Sequence, residues 1–308
     1  MQRIVDLSTD GLHVAVHRGF LTVSKDREEM GRVALDDIGG VIAHAHGLTW
    51  SNAVFTRLSE RAVPIVLCAA NHAPVACVWP LEGNYLQGLR LNAQVDASRP
   101  LAKRLWRDII VAKIKMQRAV LASIGAEAGG FDRLARKVRS GDPDNVEAQA
   151  ARRYWSVLLG DDFRRDQDGE GANALLNYGY TVLRAIVSRA ICAAGLHPSI
   201  GLHHANRGNA FALADDLMEP YRPIVDRAVY NLVREGCVDV SPEAKAALAA
   251  LTALDLAAPH GMSPLHVHVT RLAQQLAALF AKEGEGLDLP LPPDPLTLSS
   301  LARRGDSV

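Results

Sequence analysis

The chain has 308 residues, 48% of them apolar, and its 34 Lys and Arg are matched by 34 Asp and Glu. That length holds one large domain or two modest ones with a real buried core. The zero net charge excludes a molecule coated all over in positive charge, but not a local basic surface.

The first 83 residues read as a β-rich unit. RIVDLS and LHVAVHRGFLTVS alternate apolar and polar residues at period two, with Arg18-Gly19 as a turn. RVALDDIGGVIAHAHGLTWS continues the pattern, with Gly39-Gly40 as punctuation. Ser51 is placed to cap a short helix, NAVFTRLSERA, that stops before Pro64. PIVLCAA and APVACVWPL are the last strand candidates. Helical periodicity then takes over. Leu101, Leu105, Ile109, Ala112 and Met116 recur at three- and four-residue steps. NALLNYGYTVLRAIVSRAICAAG is a long apolar helix stopped by Gly195. SPEAKAALAALTAL opens with Ser241 as cap and Pro242 at the first helical position, and PLHVHVTRLAQQLAALFAKEG is a further helix. Residues 160–171 read as an exposed loop. The expected class is therefore α+β, with a β-rich domain at 1–83, a larger all-α domain at 84–285 and a flexible Pro-rich tail at 286–308.

Cys68, Cys77, Cys192 and Cys237 show no CxxC spacing, which points to buried reduced thiols in a cytoplasmic protein. The start MQRIVDLS lacks a signal-peptide pattern, and no apolar run is long enough to span a bilayer, so no membrane role is expected. Charge is uneven along the chain. Residues 1–80 carry seven Lys and Arg against eight Asp and Glu, whereas residues 99–139 carry eleven against three. A polyanion such as nucleic acid suits that run; a solvated helix face paired elsewhere in the fold accounts for it equally well.

The candidates for chemistry lie in the helical part. GLHHANRGNAFALADDLMEPYRP, at 201–223, sets a histidine pair just before a helix on which Asp216 and Glu219 stand three apart and share one face. Imidazole and carboxylates converging can hold a divalent metal, although such acids are more often a solvated face and such histidines an ordinary loop. Glu147 opens a second helix that Asn145 or Asp144 can cap; alone, it reads as an acid favouring the helix dipole. His44 and His46 share a strand face but lack neighbouring acids and read as surface or interface residues. His266 and His268 fall on different helix faces, and Gly39-Gly40 has no phosphate-loop context. Trp79, Trp106 and Trp155 read as core. Tyr154 and Tyr178 fit either the site or the core.

VEAQAARRYW at 146–155, NALLNYGYTVLRA at 173–185, AAGLHPSIGLHHANRGNAFALADDLMEPYRPIVD at 193–226 and LAQQLAAL at 272–279 together resemble the CRISPR-associated integrase, the larger of the two proteins that capture new spacers. The LHHANRGNAF and LADDLMEPYRP blocks look most like the version that accompanies type II systems. The resemblance implies a small N-terminal β-sandwich, used for dimerisation, joined to a helical catalytic domain. It implies Glu147, His204 and Glu219 as catalytic residues and ligands of Mg2+ or Mn2+, with Asp216 as an additional acid ranked below them. The implied partners are DNA (prespacer and CRISPR repeat), a small ferredoxin-like CRISPR-associated protein, a second copy of the chain with two dimers per complex, and the type II effector nuclease.

The implied reaction is transesterification of a spacer 3′-hydroxyl onto a repeat phosphodiester. It needs no covalent enzyme intermediate, and no Ser, Tyr or Cys stands out as a nucleophile. Two carboxylates and a neutral imidazole balance the charge of a divalent ion and leave open coordination positions that a phosphate oxygen can take. Arg152, Arg153, Arg222, Lys103, Arg104 and Arg107 are the DNA-contact candidates, with Arg222 equally suited to pair with a nearby acid. Two other readings are a non-catalytic DNA-holding subunit of the same complex and a helical metallohydrolase acting on a small molecule.

Overall fold

The computed structural model describes residues 3–69, 74–78, 80, 84–204, 206, 208–259 and 261–302. The β-rich part runs β1 (Arg3–Leu7), β2 (Leu12–His17), β3 (Phe20–Lys25), β4 (Glu28–Ala34), β5 (Ile38–Ala43), β6 (Thr49–Trp50), α1 (Asn52–Ser59), β7 (Ile65–Cys68) and β8 (Pro74–Val78). One sheet has the order β1-β5-β7-β8 and the other β4-β3-β2-β6. The β2–β3 hairpin turns through Arg18 at φ 47 and Gly19 at φ +84, the left-handed pair that a tight hairpin demands. Leu7, Val14, Leu21, Val41, Leu58 and Ile65 form the core between the two sheets. Trp79 and the expected boundary at 81–83 lie outside the described residues.

The second part runs α2 (Gln87–Val95), α3 (Arg99–Ser123), α4 (Gly129–Lys137), α5 (Val146–Leu159), α6 (Ala172–Ala193), α7 (Ala212–Met218), α8 (Arg222–Arg234), α9 (Pro242–Ala250), β9 (Asp255–Ala258), β10 (Gly261–Pro264), α10 (Leu265–Phe280) and α11 (Pro295–Ser300). α6 is apolar on nearly every face because it is the central post, packed by α7, α8, α9, α10 and β5. Gly195 at φ +77 ends it as expected. Ser241 caps α9 by accepting from Ala244 N at 3.2 Å. No helix among the described residues is long and apolar enough to cross a membrane.

β5 joins the two parts. All six of its residues are buried: Val41 faces the inter-sheet core, while Ile42 belongs with Val66 and Cys68 to the helical core. The unbroken run IGGVIA is thus a strand covered on both sides. Gly39 and Gly40 lie inside it, not between elements. A Cβ on Gly40 would sit 3.4 Å from Ile4 Cδ1 and 3.7 Å from Ala185 Cβ on α6, so the bare backbone lets sheet and helix approach closely.

Two sequence expectations need correction. The 84–285 stretch is not purely helical, because β9 and β10 form an antiparallel hairpin between α9 and α10. Pro259, which lacks an amide hydrogen, and Gly261 at φ +119 break helical continuation there. The tail through residue 302 is also packed, not loose. Leu298 is fully buried, and Asn231 on α8 donates to Leu301 O at 2.6 Å. Leu289 before the prolines and Leu298 and Leu301 after them give the segment apolar surface to bury.

Candidate active site

Glu147 stands in the first turn of α5. Asn145 takes a left-handed conformation at φ 50, and its side chain accepts from Ala148 N. Asp142 adds a second cap, accepting from Val146 N at 2.9 Å and Glu147 N at 3.0 Å. Asp144 is instead paired with Arg139. With its amides satisfied from below, the turn fixes where the Glu147 carboxylate projects.

Glu219 follows α7 and leads into Pro220, with its side chain only 5% exposed. Lys113, from the middle of α3, spans both acids. Its Nζ is 2.6 Å from Glu147 Oε1 and 2.6 Å from Glu219 Oε2. Arg222, one helical turn beyond Glu219, places Nε 2.9 Å from Glu219 Oε1, and its guanidinium lies over the Tyr180 ring. Burial opposes charge on Glu219, but Arg222 and Lys113 outweigh it and hold the carboxyl below its usual range.

His204 belongs to the loop before α7 and is clamped by Asp216. Asp216 is completely buried. Its Oδ1 accepts from His204 Nδ1 at 2.5 Å and from His204 N, and its Oδ2 accepts from Leu202 N at 2.6 Å and His203 N at 3.0 Å. Both oxygens are committed to the loop. Since a carboxylate only accepts, Nδ1 carries a hydrogen, and in the neutral ring Nε2 then keeps its lone pair, the arrangement that prepares an imidazole for a metal. The Asp216 hydrogen bond lifts His204 above the ordinary imidazole range despite partial burial, with Glu219 and Asp215 adding to it. His203 turns away and stacks on buried Trp106, with ring centroids 4.3 Å apart. A cavity of about 810 Å³ opens beside the loop, lined by His197, Gly201, His204, Asn206, Asn209 and Phe211 among others.

The donor chemistry suits a hard divalent ion. Two carboxylates already converge on one positive charge, each 2.6 Å from the Lys113 ammonium. Among the described residues, however, no three His, Cys, Asp or Glu side chains come close enough together to form a metal cluster. Lys113 stands between Glu147 and Glu219, and His204 is tied to Asp216.

The sequence matches the family profile described as CRISPR associated protein Cas1 over residues 5–243. The chain belongs to the Cas1 family. One relative, the CRISPR-associated endonuclease Cas1 of Neisseria meningitidis serogroup C, is 35% identical over 232 residues, 75% of this chain and 76% of that protein. A casposase bound to integration product has the same fold, with a TM-score of 0.77 at 19% identity over 100% of this chain and 96% of that one. A chain of a Cas6-RT-Cas1–Cas2 complex matches with a TM-score of 0.74 at 19% identity, over 92% of this chain and 35% of that one.

In this Cas1-family chain the other basic candidates stand apart from the acids. Lys103, Arg104, Arg152 and Arg153 are exposed, and Arg153 lies over the Phe131 ring. Arg107 is paired with Asp108. Tyr154 and Tyr178 are fully buried, as is Trp106. The reading of His44 as a surface residue without acids is corrected. His44 is buried, with Nε2 3.3 Å from Asp6 Oδ2, because β1 and β5 pair in parallel and bring the two residues together. His46 is exposed. All four cysteines are free, with Cys77 half-buried and the others buried.

Lys113 was hidden within a basic run. The signal was its position: it falls on the α3 face that also carries buried Ile109, Ile110, Met116 and Gln117, where a solvated lysine does not belong. Asp215 is a second functional neighbour without a sequence signal of its own. It braces the loop to α6, accepting from Arg184 Nε and from Asn209 Nδ2, each at 2.8 Å.

Proposed function

We propose that this protein is a divalent-metal-dependent DNA integrase and endonuclease that inserts new spacers into a CRISPR array. The observation that carries the reading is the convergence of Glu147 and Glu219 on one cation, beside an imidazole that Asp216 has oriented. Family membership and the relatives named endonucleases support the coarse activity. Glu147, Glu219 and His204 Nε2 would hold Mg2+ or Mn2+, while Asp216 positions the imidazole from outside. The bound ion would lower the pKa of an attacking hydroxyl and neutralise charge on the phosphate. Arg222 keeps Glu219 ionised and adds positive charge where a phosphodiester would lie. The exposed cations of α3 and α5 would meet DNA phosphates along their length.

The related folds include a casposase bound to integration product, a Cas6-RT-Cas1–Cas2 complex and a TtCas1-DNA complex. By extension we assign this chain prespacer and repeat DNA as substrates and a small ferredoxin-like partner. We also assign it self-association through the 1–83 region, two dimers per complex, and a cytoplasmic site of action. The type II character rests on the LHHANRGNAF and LADDLMEPYRP blocks and the identity to the Neisseria protein.

The test is strand transfer of a prespacer into repeat DNA with the partner protein and Mn2+. Glu147→Ala, His204→Ala and Glu219→Ala should each abolish transfer while DNA binding persists. Full integration by any of the three would refute the assignment.

A further inference from the structure

Lys113 has two properties that an ordinary salt-bridging lysine lacks. It is 12% exposed and lies 2.6 Å from two carboxylates on different elements, Glu147 on α5 and Glu219 after α7. Glu147 Oε1 accepts a hydrogen bond from Nζ, and Glu219 Oε2 pairs with the same ammonium at the same distance. One ammonium therefore serves both carboxylates. An ion with no fixed donor directions would meet both oxygens equally well.

The electrostatics follow from the same geometry. Without a cation between them, the buried Glu219 and the half-buried Glu147 would repel in a medium that screens less well than water. Lys113 removes that repulsion and holds both acids close. A divalent ion entering the same place would meet the ammonium head-on, so ion and ammonium cannot share it without mutual repulsion. The four-carbon stem of lysine lets the charge swing aside while its root stays packed in α3.

We propose that Lys113 is an internal counter-cation that pre-positions Glu147 and Glu219 and is exchanged for the divalent ion when the site loads. Loading then frees one ammonium group at the edge of the site, facing the place of an anionic phosphate. The proposal rests on the metal reading given above. Lys113 is a positioning residue in this scheme, and it also sets the threshold of metal concentration at which the site becomes competent.

The test uses the full chain and Mn2+ alone, with affinity read by electron paramagnetic resonance titration and stability by thermal unfolding in chelator. Lys113→Met should bind Mn2+ more tightly than wild type, on the order of tenfold, since its competitor is gone. In chelator it should unfold at a lower temperature than wild type, and Mn2+ should restore the difference. Lys113→Arg should keep the metal-free stability, and Glu147→Gln combined with Lys113→Met should regain part of it by removing one of the repelling charges. Equal or weaker Mn2+ binding by a folded Lys113→Met overturns the exchange. Should wild type and Lys113→Met both fail to bind Mn2+, the metal reading itself falls, and the exchange with it. The two failures are thus distinguishable.

Discussion

Asp216 fixes His204 from both ends: one oxygen takes the Nδ1 hydrogen at 2.5 Å, and the other gathers the Leu202 and His203 amides that shape the loop carrying the ring. Changing Asp216 to Asn replaces one acceptor oxygen by a donor and so confronts an N–H with another N–H. Asp216→Asn should weaken Mn2+ binding by about 10–100-fold, the usual effect of losing such a support, and depress strand transfer in parallel. Titration of Mn2+ into the purified variant measures the first effect directly. Wild-type affinity and activity would show that the ring needs no clamp.

Gly201 is required by the same clamp. A Cβ there would fall 2.6 Å from His204 O and 2.8 Å from Asp216 Oδ2, neither of which can move without breaking the loop. Gly201→Ala should cost about 1–3 kcal/mol in urea unfolding and should lower strand transfer. An alanine variant that integrates normally would mean the loop has another conformation available.

Gly179 fixes how closely α6 and α8 cross. A Cβ at 179 would meet Val225 Cγ1 at 2.5 Å. Gly179→Ala should destabilise the protein by about 1–3 kcal/mol through overpacking. Adding Val225→Ala should recover part of that loss, since it removes the clashing methyl. A double-mutant cycle by denaturant unfolding checks this: additive effects would rule out direct steric coupling.

Acid sensitivity should come partly from Asp6, at the junction of sheet and helices. Burial would raise its pKa, but His44, Lys245 and Tyr178 outweigh that and hold it at about 2, below its ordinary 3.8. A carboxyl lowered by folding contributes stability that is complete above its unfolded pKa and is lost as pH falls through the folded one. The contribution, on the order of 2 kcal/mol at neutral pH, should therefore fade between about pH 4 and pH 2. Asp6→Asn should be less stable than wild type at pH 7, and the gap should narrow toward pH 3. A gap that is constant with pH would assign the effect to packing.

Local signals carried much of the architecture. The Ser241-Pro242 start of α9, the Gly195 stop of α6 and the Arg18-Gly19 hairpin could be read directly, because each depends on backbone geometry within a few residues. The β9–β10 hairpin could not, since its short apolar strands continue the composition of the helices around them and only their pairing distinguishes them. The acids and the histidine of the candidate site were legible as a set of motifs. Their relation to Lys113 was not, because α3 and α5 meet only in the folded chain. Asp6 and His44 escaped for the same reason: thirty-odd residues of β-meander intervene before parallel pairing sets them face to face.

β5 has no solvent side. Its inner face closes the sandwich and its outer face, through Ile42 and the bare Gly40 backbone, is pressed against α6. A strand with that position is a party wall between two rooms. Pulling the β-rich half away from the helices would expose Ile42, Val66 and Cys68, which now share the helical core. In any assembly built through that half, this shared apolar wall would be what resists a change in the spacing between the candidate sites.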